Sequence, residues 1–407
     1  MLALAGQSTA AALASTSFLP HAAGEPFRGD SGNPTEVQGR RESPQLTEDI
    51  TGPHSLKVHA AANRLLTGCA VVPSLLDRDA DYTRLVREQA SILVAENAMK
   101  WGPLRPSPSS FDFEQADLLM AFAQRNGMKL RGHNLCWHRQ LPGWFATVAT
   151  PANARQLLVE HIERVAGRYA GRMHSWDVVN EAIEVKDGRS DGFRLSPWLK
   201  LAGGDYVELA FRTARRADSQ ALLTYNDYGI EDETPEAEAK RSAVLKLLRR
   251  MRARRVPIDA VGIQSHIAAR PSGTTTAGQA AKFVYGAGLT RFLASARELD
   301  LQVFLTEMDV NDRSLPEGIA ERDAAVAEAY ARYLDLVLRD PAVTAVLTWG
   351  ITDRYTWLNH EDGRSDKLAE RPLPFDVNYQ PKPAFLALRH SVDKLRPIHG
   401  IPQRPSL

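Results

Sequence analysis

Eight short apolar segments alternate with longer segments of helical periodicity between residues 60 and 390 of this chain. The apolar segments span residues 65–72, 92–96, 129–135, 175–180, 222–226, 260–265, 302–306 and 343–349. Among the longer segments, residues 152–169 and 317–339 have clear helical patterns, and Thr150 and Pro151 are the expected N-terminal cap and first turn of the former. Alternation of strand and helix predicts a parallel sheet with right-handed crossovers.

A closed (β/α)₈ barrel, the TIM barrel of the α/β class, is therefore the predicted fold. Such barrels need roughly 250 residues and grow by loop insertion, which a chain of 407 residues accommodates. The competing arrangement is an open, doubly wound sheet. It is disfavoured because no glycine-rich dinucleotide-binding fingerprint follows the first strand. We expect one barrel domain over residues 56–397.

The two ends of the chain differ in composition from this domain. Residues 2–23 are small and moderately apolar, as in the later part of a secretory signal, although no basic residue precedes Arg28. Residues 24–55 are rich in Gly, Pro, Ser and charge, which is typical of an unstructured leader. We thus interpret residues 1–55 as an export segment and leader, and residues 398–407 as a loose tail. The expected location is secreted or periplasmic.

Net charge, apolar runs and cysteine content argue against a nucleic-acid-binding protein, a membrane-spanning protein and a disulfide-held fold. The formal net charge of +1 argues against nucleic acid or an anionic membrane as the main partner. No apolar run reaches eighteen residues, so we expect no membrane span. Cys69 and Cys136 are the only cysteines, so no disulfide framework holds the fold, and a single bridge between them is not indicated.

Two of the predicted strands end in a glutamate, Glu181 and Glu307. A carboxylate at the tip of a buried strand must meet water, a partner or a substrate. Other polar and aromatic residues follow the remaining strand ends: Glu96, Asn97, His133, Trp137, His138, Asn180, Asn226, Asp227, Tyr228, Gln264, His266, Asp309 and Trp349. Because active sites of such barrels lie at the C-terminal ends of the strands, these residues predict an active-site face.

A pair of carboxyl groups is what cleavage of a glycosidic bond requires: one proton donor, and one nucleophile or base. A separation of about 5–5.5 Å gives retention of configuration and roughly 6.5–9.5 Å gives inversion, and the sequence leaves this open. Strand periodicity places Gln264 and His266 on one face, and Glu307 and Asp309 on one face of the next strand. We therefore expect His266 to lie between Glu307 and Asp309, and an anionic Glu307 to raise the pKa of Glu181.

Four of the seven tryptophans, Trp101, Trp137, Trp349 and Trp357, fall at or just beyond strand ends. Indole rings pack on the apolar C–H faces of a pyranose, while its hydroxyl groups need polar partners. Candidates for those partners are Glu96, Asn97, Lys100 and Gln264, and Asn180 suits the sugar 2-hydroxyl. Together they predict a cleft for an extended sugar chain.

These residues also carry a family resemblance. Segments 96–101, 132–138, 176–181, 225–228, 262–266, 306–309, 349–353 and 375–383 occur in the order found in the endo-1,4-β-xylanases of glycoside hydrolase family 10. The chain resembles that family from about residue 65 to residue 390. Departures are small: Met308 stands where Leu is common, and Val377 where Glu is common.

The resemblance implies retaining hydrolysis of β-1,4-xylan by a (β/α)₈ barrel, with Glu181 as acid/base and Glu307 as nucleophile. It further implies a set of sugar-binding residues: Glu96, Asn97, Lys100, His133, Trp137, Asn180, Gln264, His266, Trp349 and Trp357. Asn226, Tyr228 and Asp309 would support them. The expected partners are xylan and xylo-oligosaccharides, without a cofactor or metal, and the expected state is a monomer.

Less specific interpretations of the same residues remain open at this point. Either glutamate could be structural, paired with a basic residue, and Trp349 and Trp357 could pack in the core. Asn226 and Tyr228 could orient neighbours rather than touch sugar. His133, His138 and His266 could form a metal site, as three strand-end histidines do in metal-dependent hydrolases. The alternative functions are a β-1,4-glucanase or mixed-specificity glycanase, and a non-catalytic sugar-binding barrel.

Overall fold

Eight parallel strands close into a barrel in the computed structural model, which describes residues 49–270, 284–361 and 363–395. The strands are β1 (Leu66–Val71), β2 (Ile92–Ala95), β3 (Lys129–His133), β4 (Ser175–Asn180), β5 (Leu222–Asp227), β6 (Ala260–Ile263), β8 (Gln302–Asn311) and β9 (Val343–Thr348), with the short β7 (His266–Ala268) between β6 and β8 in the chain. Neighbours β1 to β6 pair in chain order, β9 pairs with both β1 and β8, and β6 pairs with β8 to complete the circle. The predicted (β/α)₈ barrel is confirmed.

Most of the helices lie between strands along the chain, while one precedes the first strand and two follow the last. They are α1 (Leu56–Ala62), α2 (Leu75–Arg78), α3 (Ala80–Gln89), α4 (Trp101–Leu104), α5 (Glu114–Arg125), α6 (Phe145–Val148), α7 (Ala154–Arg168), α8 (Pro197–Ala202), α9 (Tyr206–Ala217), α10 (Pro235–Ala253), α11 (Ala287–Glu298), α12 (Ile319–Val337), α13 (Leu358–Glu361) and α14 (Pro383–Asp393). The predicted start of α7 was early, because Thr150 lies in a turn held by the Asn153 side chain and the helix begins at Ala154.

The region around β6 and β8 differs from its predicted form. The predicted strand 260–265 stops at Ile263, because Ser265 has φ +64, which no extended strand residue adopts. The chain then resumes as β7, whose His266 pairs with Asp309 in an extension of β8 beyond the predicted end. This break re-aims His266 along the far end of β8, toward the mouth of the barrel.

Apolar packing forms two layers. Inside the barrel lies a small cluster of side chains: Ala70, Ile92, Val94, Ala260, Phe304, Ala345, Leu347 and Trp349. A much larger cluster joins the outward-facing strand residues to the helices. Burial on both faces explains why the strands have almost continuous apolar sequences rather than alternating ones. Cys69 and Cys136 are free and buried in this outer layer.

The N-terminal leader was predicted to extend to residue 55, but residues 49–55 belong to the folded domain. Gln89 donates a hydrogen bond of 2.8 Å to the carbonyl of Ile50, and Arg389 donates to the carbonyls of Asp49 and His54. Residues 1–48 and 396–407 lie outside the described residues, so the export segment and the tail stay predictions. Within the described ranges, no helix is long and apolar enough to cross a membrane.

Gly132 on β3 is required by the close approach of Trp176 on β4. A Cβ at Gly132 would lie 2.0 Å from the buried Trp176 ring, which cannot move aside. We expect Gly132→Ala to lower the free energy of unfolding by about 1–3 kcal/mol or more through overpacking. Gly167→Ala is the matched control, because Gly167 lies inside α7 with open space around it. Urea denaturation should show it unchanged or stabilised by up to ~1 kcal/mol, and equal behaviour of both variants would contradict this account.

Candidate active site

A cavity of about 660 Å³ opens at the C-terminal ends of the barrel strands. Of the fifteen residues expected to have catalytic, sugar-binding or supporting roles, thirteen line it: Glu96, Asn97, Lys100, His133, Trp137, Asn180, Glu181, Tyr228, Gln264, His266, Glu307, Trp349 and Trp357. The other two, Asn226 and Asp309, are buried behind the wall and bind lining residues. The predicted convergence of strand ends on one face is therefore present in the fold.

Glu307 on β8 is surrounded by hydrogen-bond donors. Asn226 donates to its Oε1 over 2.7 Å, and His266 Nε2 lies 3.3 Å from its Oε2. His133 Nδ1 lies 3.9 Å from Oε1. Burial alone would raise the pKa of Glu307, but the charge of His133, the hydrogen bond and charge of His266, and the charge of Lys100 lower it to about 2. Glu307 is therefore ionised over the whole neutral range.

His266 lies between two carboxylates, as the sequence predicted. Its Nδ1 is 2.9 Å from Asp309 Oδ1, while its Nε2 faces Glu307. Burial opposes protonation of this imidazole, but Asp309 and Glu307 together raise the pKa of His266 well above its usual value. Trp357 donates to the other oxygen of Asp309 over 2.8 Å. Asp309 thus keeps His266 charged and oriented so that both ring nitrogens donate.

Beneath the cavity, a buried ion pair supports His133. Asp177 on β4 accepts a hydrogen bond from Arg131 and lies 3.0 Å from His133 Nδ1. All three side chains are buried inside the barrel, where a charge without a partner would be very costly. The arrangement fixes the His133 ring at the floor of the site, facing Glu307.

Glu181 follows β4 and has surroundings unlike those of Glu307. Trp137 donates to its Oε2 over 2.8 Å, and Gln264 donates to its Oε1 over 3.0 Å. Burial is the largest influence on its pKa and raises it. The two hydrogen bonds act in the opposite direction, and the negative charges of Asp227 and Glu307 raise the pKa further. The predicted effect of Glu307 is present, although burial contributes more.

Asparagine side chains connect the surroundings of the two glutamates. The amide of Asn226 donates both to Glu307 and, over 2.9 Å, to Asn180 Oδ1, while Thr306 donates to Asn226 Oδ1 over 2.7 Å. Asn180 in turn donates to Glu181 Oε1 over 3.1 Å. Of the two roles left open for Asn226, its position behind the wall favours orienting its neighbours.

Indole rings and a lysine form one wall of the cavity. The Lys100 ammonium lies 5.0 Å from the Trp137 ring centroid and 5.7 Å from that of Trp349, and it donates to Asn97 over 2.9 Å. Trp349 packs on the inner apolar cluster and also lines the cavity, and Trp357 is half-buried beside it. Glu96 also lines the cavity, and burial raises the pKa of its carboxyl group.

Trp101 does not belong to this wall, contrary to the sequence interpretation. Its indole is buried, donates over 2.7 Å to the carbonyl of Leu135, and stacks on His161 with 3.8 Å between ring centroids. Sequence reasoning also missed several lining residues: Arg139, Gln140, Arg194, Glu231, Asp232, Tyr285 and Asn311. Most of them lie in loops, where no strand-end pattern marks them.

The three strand-end histidines do not assemble a metal site. His133 and His266 direct ring nitrogens at carboxylates, and His138 Nδ1 lies 3.8 Å from Glu181 Oε2. Among the residues that the structure describes, no group of three or more His, Cys, Asp or Glu side chains could hold a metal ion.

Residues 55–391 match the family model of glycosyl hydrolase family 10. The chain belongs to this family. Endo-1,4-beta-xylanase B of Thermotoga neapolitana is 35% identical over 316 residues, covering 77% of this chain and 84% of that protein. Beta-1,4-xylanase of Dictyoglomus thermophilum is 36% identical, covering 75% and 82%. Xylanase 10B of Thermotoga maritima superposes with a TM-score of 0.73 at 33% identity, covering 84% of this chain and 98% of that structure.

Removing His266 tests the electrostatics of this family 10 site. We expect His266→Ala to raise the pKa of Glu307 by about 1–3 units, because a cation in contact with the carboxylate is lost. The acidic limb of the kcat/KM profile should then move to higher pH by the same amount. Gln140→Ala, which changes an uncharged lining residue whose side chain donates to Asn97, should leave the limb in place. An acidic limb that stays fixed in the His266 variant would refute the charge balance described above.

Proposed function

We propose that this chain hydrolyses internal β-1,4-xylosidic bonds of xylan by a retaining double displacement. Glu307 is the nucleophile and Glu181 the acid/base in this proposal. The observation that carries it is the opposite shift of two carboxyl groups in one cavity: the pKa of Glu307 is lowered to about 2, and that of Glu181 is raised. Where the environment shifts the pKa values of two neighbouring titratable groups in opposite directions, the group with the raised pKa acts as the acid and the group with the lowered pKa stays ionised.

In the first step, Glu307 attacks the anomeric carbon while Glu181 protonates the leaving glycosidic oxygen. Asn226 and His266 hold the attacking carboxylate in its ionised form. Trp137 and Gln264 hold the Glu181 carboxyl group. The product is a glycosyl ester on Glu307 and a free sugar hydroxyl on the leaving group.

In the second step, water displaces the ester. Once Glu307 is esterified its negative charge is gone, so one of the influences that raise the pKa of Glu181 disappears. Glu181, which lost its proton in the first step, then accepts a proton from the attacking water. Two inversions at one carbon restore the β configuration.

Xylan as substrate is supported by the names of the relatives and by the shape of the site. The relatives from Thermotoga neapolitana and Dictyoglomus thermophilum are both named as xylanases, and xylanase 10B of Thermotoga petrophila, with a TM-score of 0.73, was solved in complex with xylobiose. In this chain Trp349 and Trp357 flank the cavity beside His266 and His133. Xylose lacks the 6-hydroxymethyl group of glucose, which bulky indoles near the site would exclude.

A mixed specificity that includes β-1,4-glucan is the second candidate. A relative 34% identical to this chain, from Thermoclostridium stercorarium, is named a thermostable celloxylanase. A ratio of kcat/KM for xylan and soluble cellulose near unity would favour this candidate. We further propose that the chain is exported, from the small and moderately apolar residues 2–23, and that it acts as a monomer.

Substitution of each glutamate separates their roles. We expect Glu181→Ala to reduce kcat/KM for xylohexaose by about 10²–10⁴-fold, the usual contribution of general acid catalysis. An aryl xylobioside with a good leaving group needs no protonation, so its glycosylation step should be far less affected, and azide should yield a β-glycosyl azide.

Glu307→Gln is the matched comparison, because it removes the charge but keeps the size. It should abolish turnover of both substrates without azide rescue. Equal losses on both substrates for Glu181→Ala would remove Glu181 as acid/base, and substantial activity of Glu307→Gln would remove Glu307 as nucleophile.

A further inference from the structure

The main chain of Glu181 adopts a conformation that its side chain disfavours. Its φ of +56 lies in the left-handed region, which residues with a Cβ seldom occupy. The turn comes directly after β4 and directs the carboxyl group toward Trp137 and Gln264. Such a conformation persists only where surrounding contacts fix it.

Contacts fix both peptide groups of Glu181. Its N–H donates over 2.9 Å to the carbonyl of Asn226, which anchors it to β5. Its carbonyl accepts a hydrogen bond of 2.8 Å from Nε of Arg194. The Arg194 N–H also donates over 2.8 Å to the carbonyl of Ala182. Arg194 therefore holds the chain directly after the acid/base residue by its side chain and its backbone.

Arg194 is itself held in place from the opposite side. Its Nη2 donates to the Tyr228 hydroxyl over 2.9 Å and lies 3.3 Å from Glu184 Oε2. The Tyr228 hydroxyl also donates to Glu184, over 3.3 Å. Only 14% of the Arg194 side chain is exposed. A planar guanidinium can bridge a carbonyl on one side and a hydroxyl on the other, whereas a lysine ammonium cannot span both.

We propose that Arg194 is a positioning residue for proton transfer by Glu181. The inference rests on the proposed function and assigns to Arg194 the task of holding the Glu181 peptide in its left-handed turn. Without the guanidinium, the Glu181 carbonyl loses its donor and the peptide relaxes, so the carboxyl group leaves its alignment with the glycosidic oxygen. Glu307 is held by Asn226 and His266 on other strands, so its attack is unaffected.

The test compares Arg194→Ala and Arg194→Lys with Arg189→Ala. Arg189 lies in the same loop and pairs with Asp191, but it has no contact with Glu181. We measure kcat/KM for xylohexaose, whose leaving group needs a proton, and for 2,4-dinitrophenyl β-xylobioside, whose leaving group does not. Rates are expressed per active site, titrated with an activated 2-fluoro xylobioside that traps Glu307, so that partly folded material is discounted.

We expect Arg194→Ala to lose about 10-fold or more on xylohexaose and less than about 3-fold on the dinitrophenyl substrate. Arg194→Lys should show the same selective loss in smaller measure, and Arg189→Ala should match the wild type on both substrates. Equal losses on both substrates in either Arg194 variant, or wild-type activity of Arg194→Lys on xylohexaose, would overturn the inference. A wild-type protein that leaves xylohexaose uncut would instead refute the proposed function, before any variant is made.

Discussion

A buried carboxylate is stable only where donors and positive charge replace the water it has lost. The mouth of this barrel is organised around that requirement for Glu307. His266 can stay charged beside Glu307 because Asp309 lies on its other side, and Asn226 adds a neutral donor. Glu181 shares the cavity, but the side chains that donate to its carboxyl group, Trp137 and Gln264, are neutral. The surroundings of Glu307 therefore favour an anion, while those of Glu181 favour a proton, and this asymmetry is what a two-step displacement needs.

The barrel below supplies the rigidity for this arrangement. The Arg131–Asp177 ion pair occupies the interior under His133, where most barrels of this type place apolar side chains. A buried pair of this kind contributes little net stability, but breaking it would leave a charge without a partner. It therefore fixes the orientation of His133 relative to Glu307. The stability of the barrel comes instead from the apolar layers around the pair.

Much of this site could be predicted from the sequence, because parallel strands bring their C-terminal ends to one rim whatever their separation along the chain. The placement of Glu181 and Glu307 on one rim followed from that rule, and the position of His266 between Glu307 and Asp309 followed from the two-residue period of a strand. The burial of Trp101 could not be predicted in this way, because it depends on packing against His161, a residue of the distant helix α7. Arg194 was missed for a similar reason: its role depends on the positive φ of Glu181 and on a loop fold, neither of which leaves a periodic pattern.

The most direct test of the account follows the first product of xylohexaose cleavage by proton NMR. If Glu307 and Glu181 act in turn on one anomeric carbon, the β-anomer signal of the new reducing end must appear first and decay to the equilibrium mixture by mutarotation. An initial α-anomer signal would mean a single displacement by water, and the assignment of Glu307 as nucleophile would be wrong.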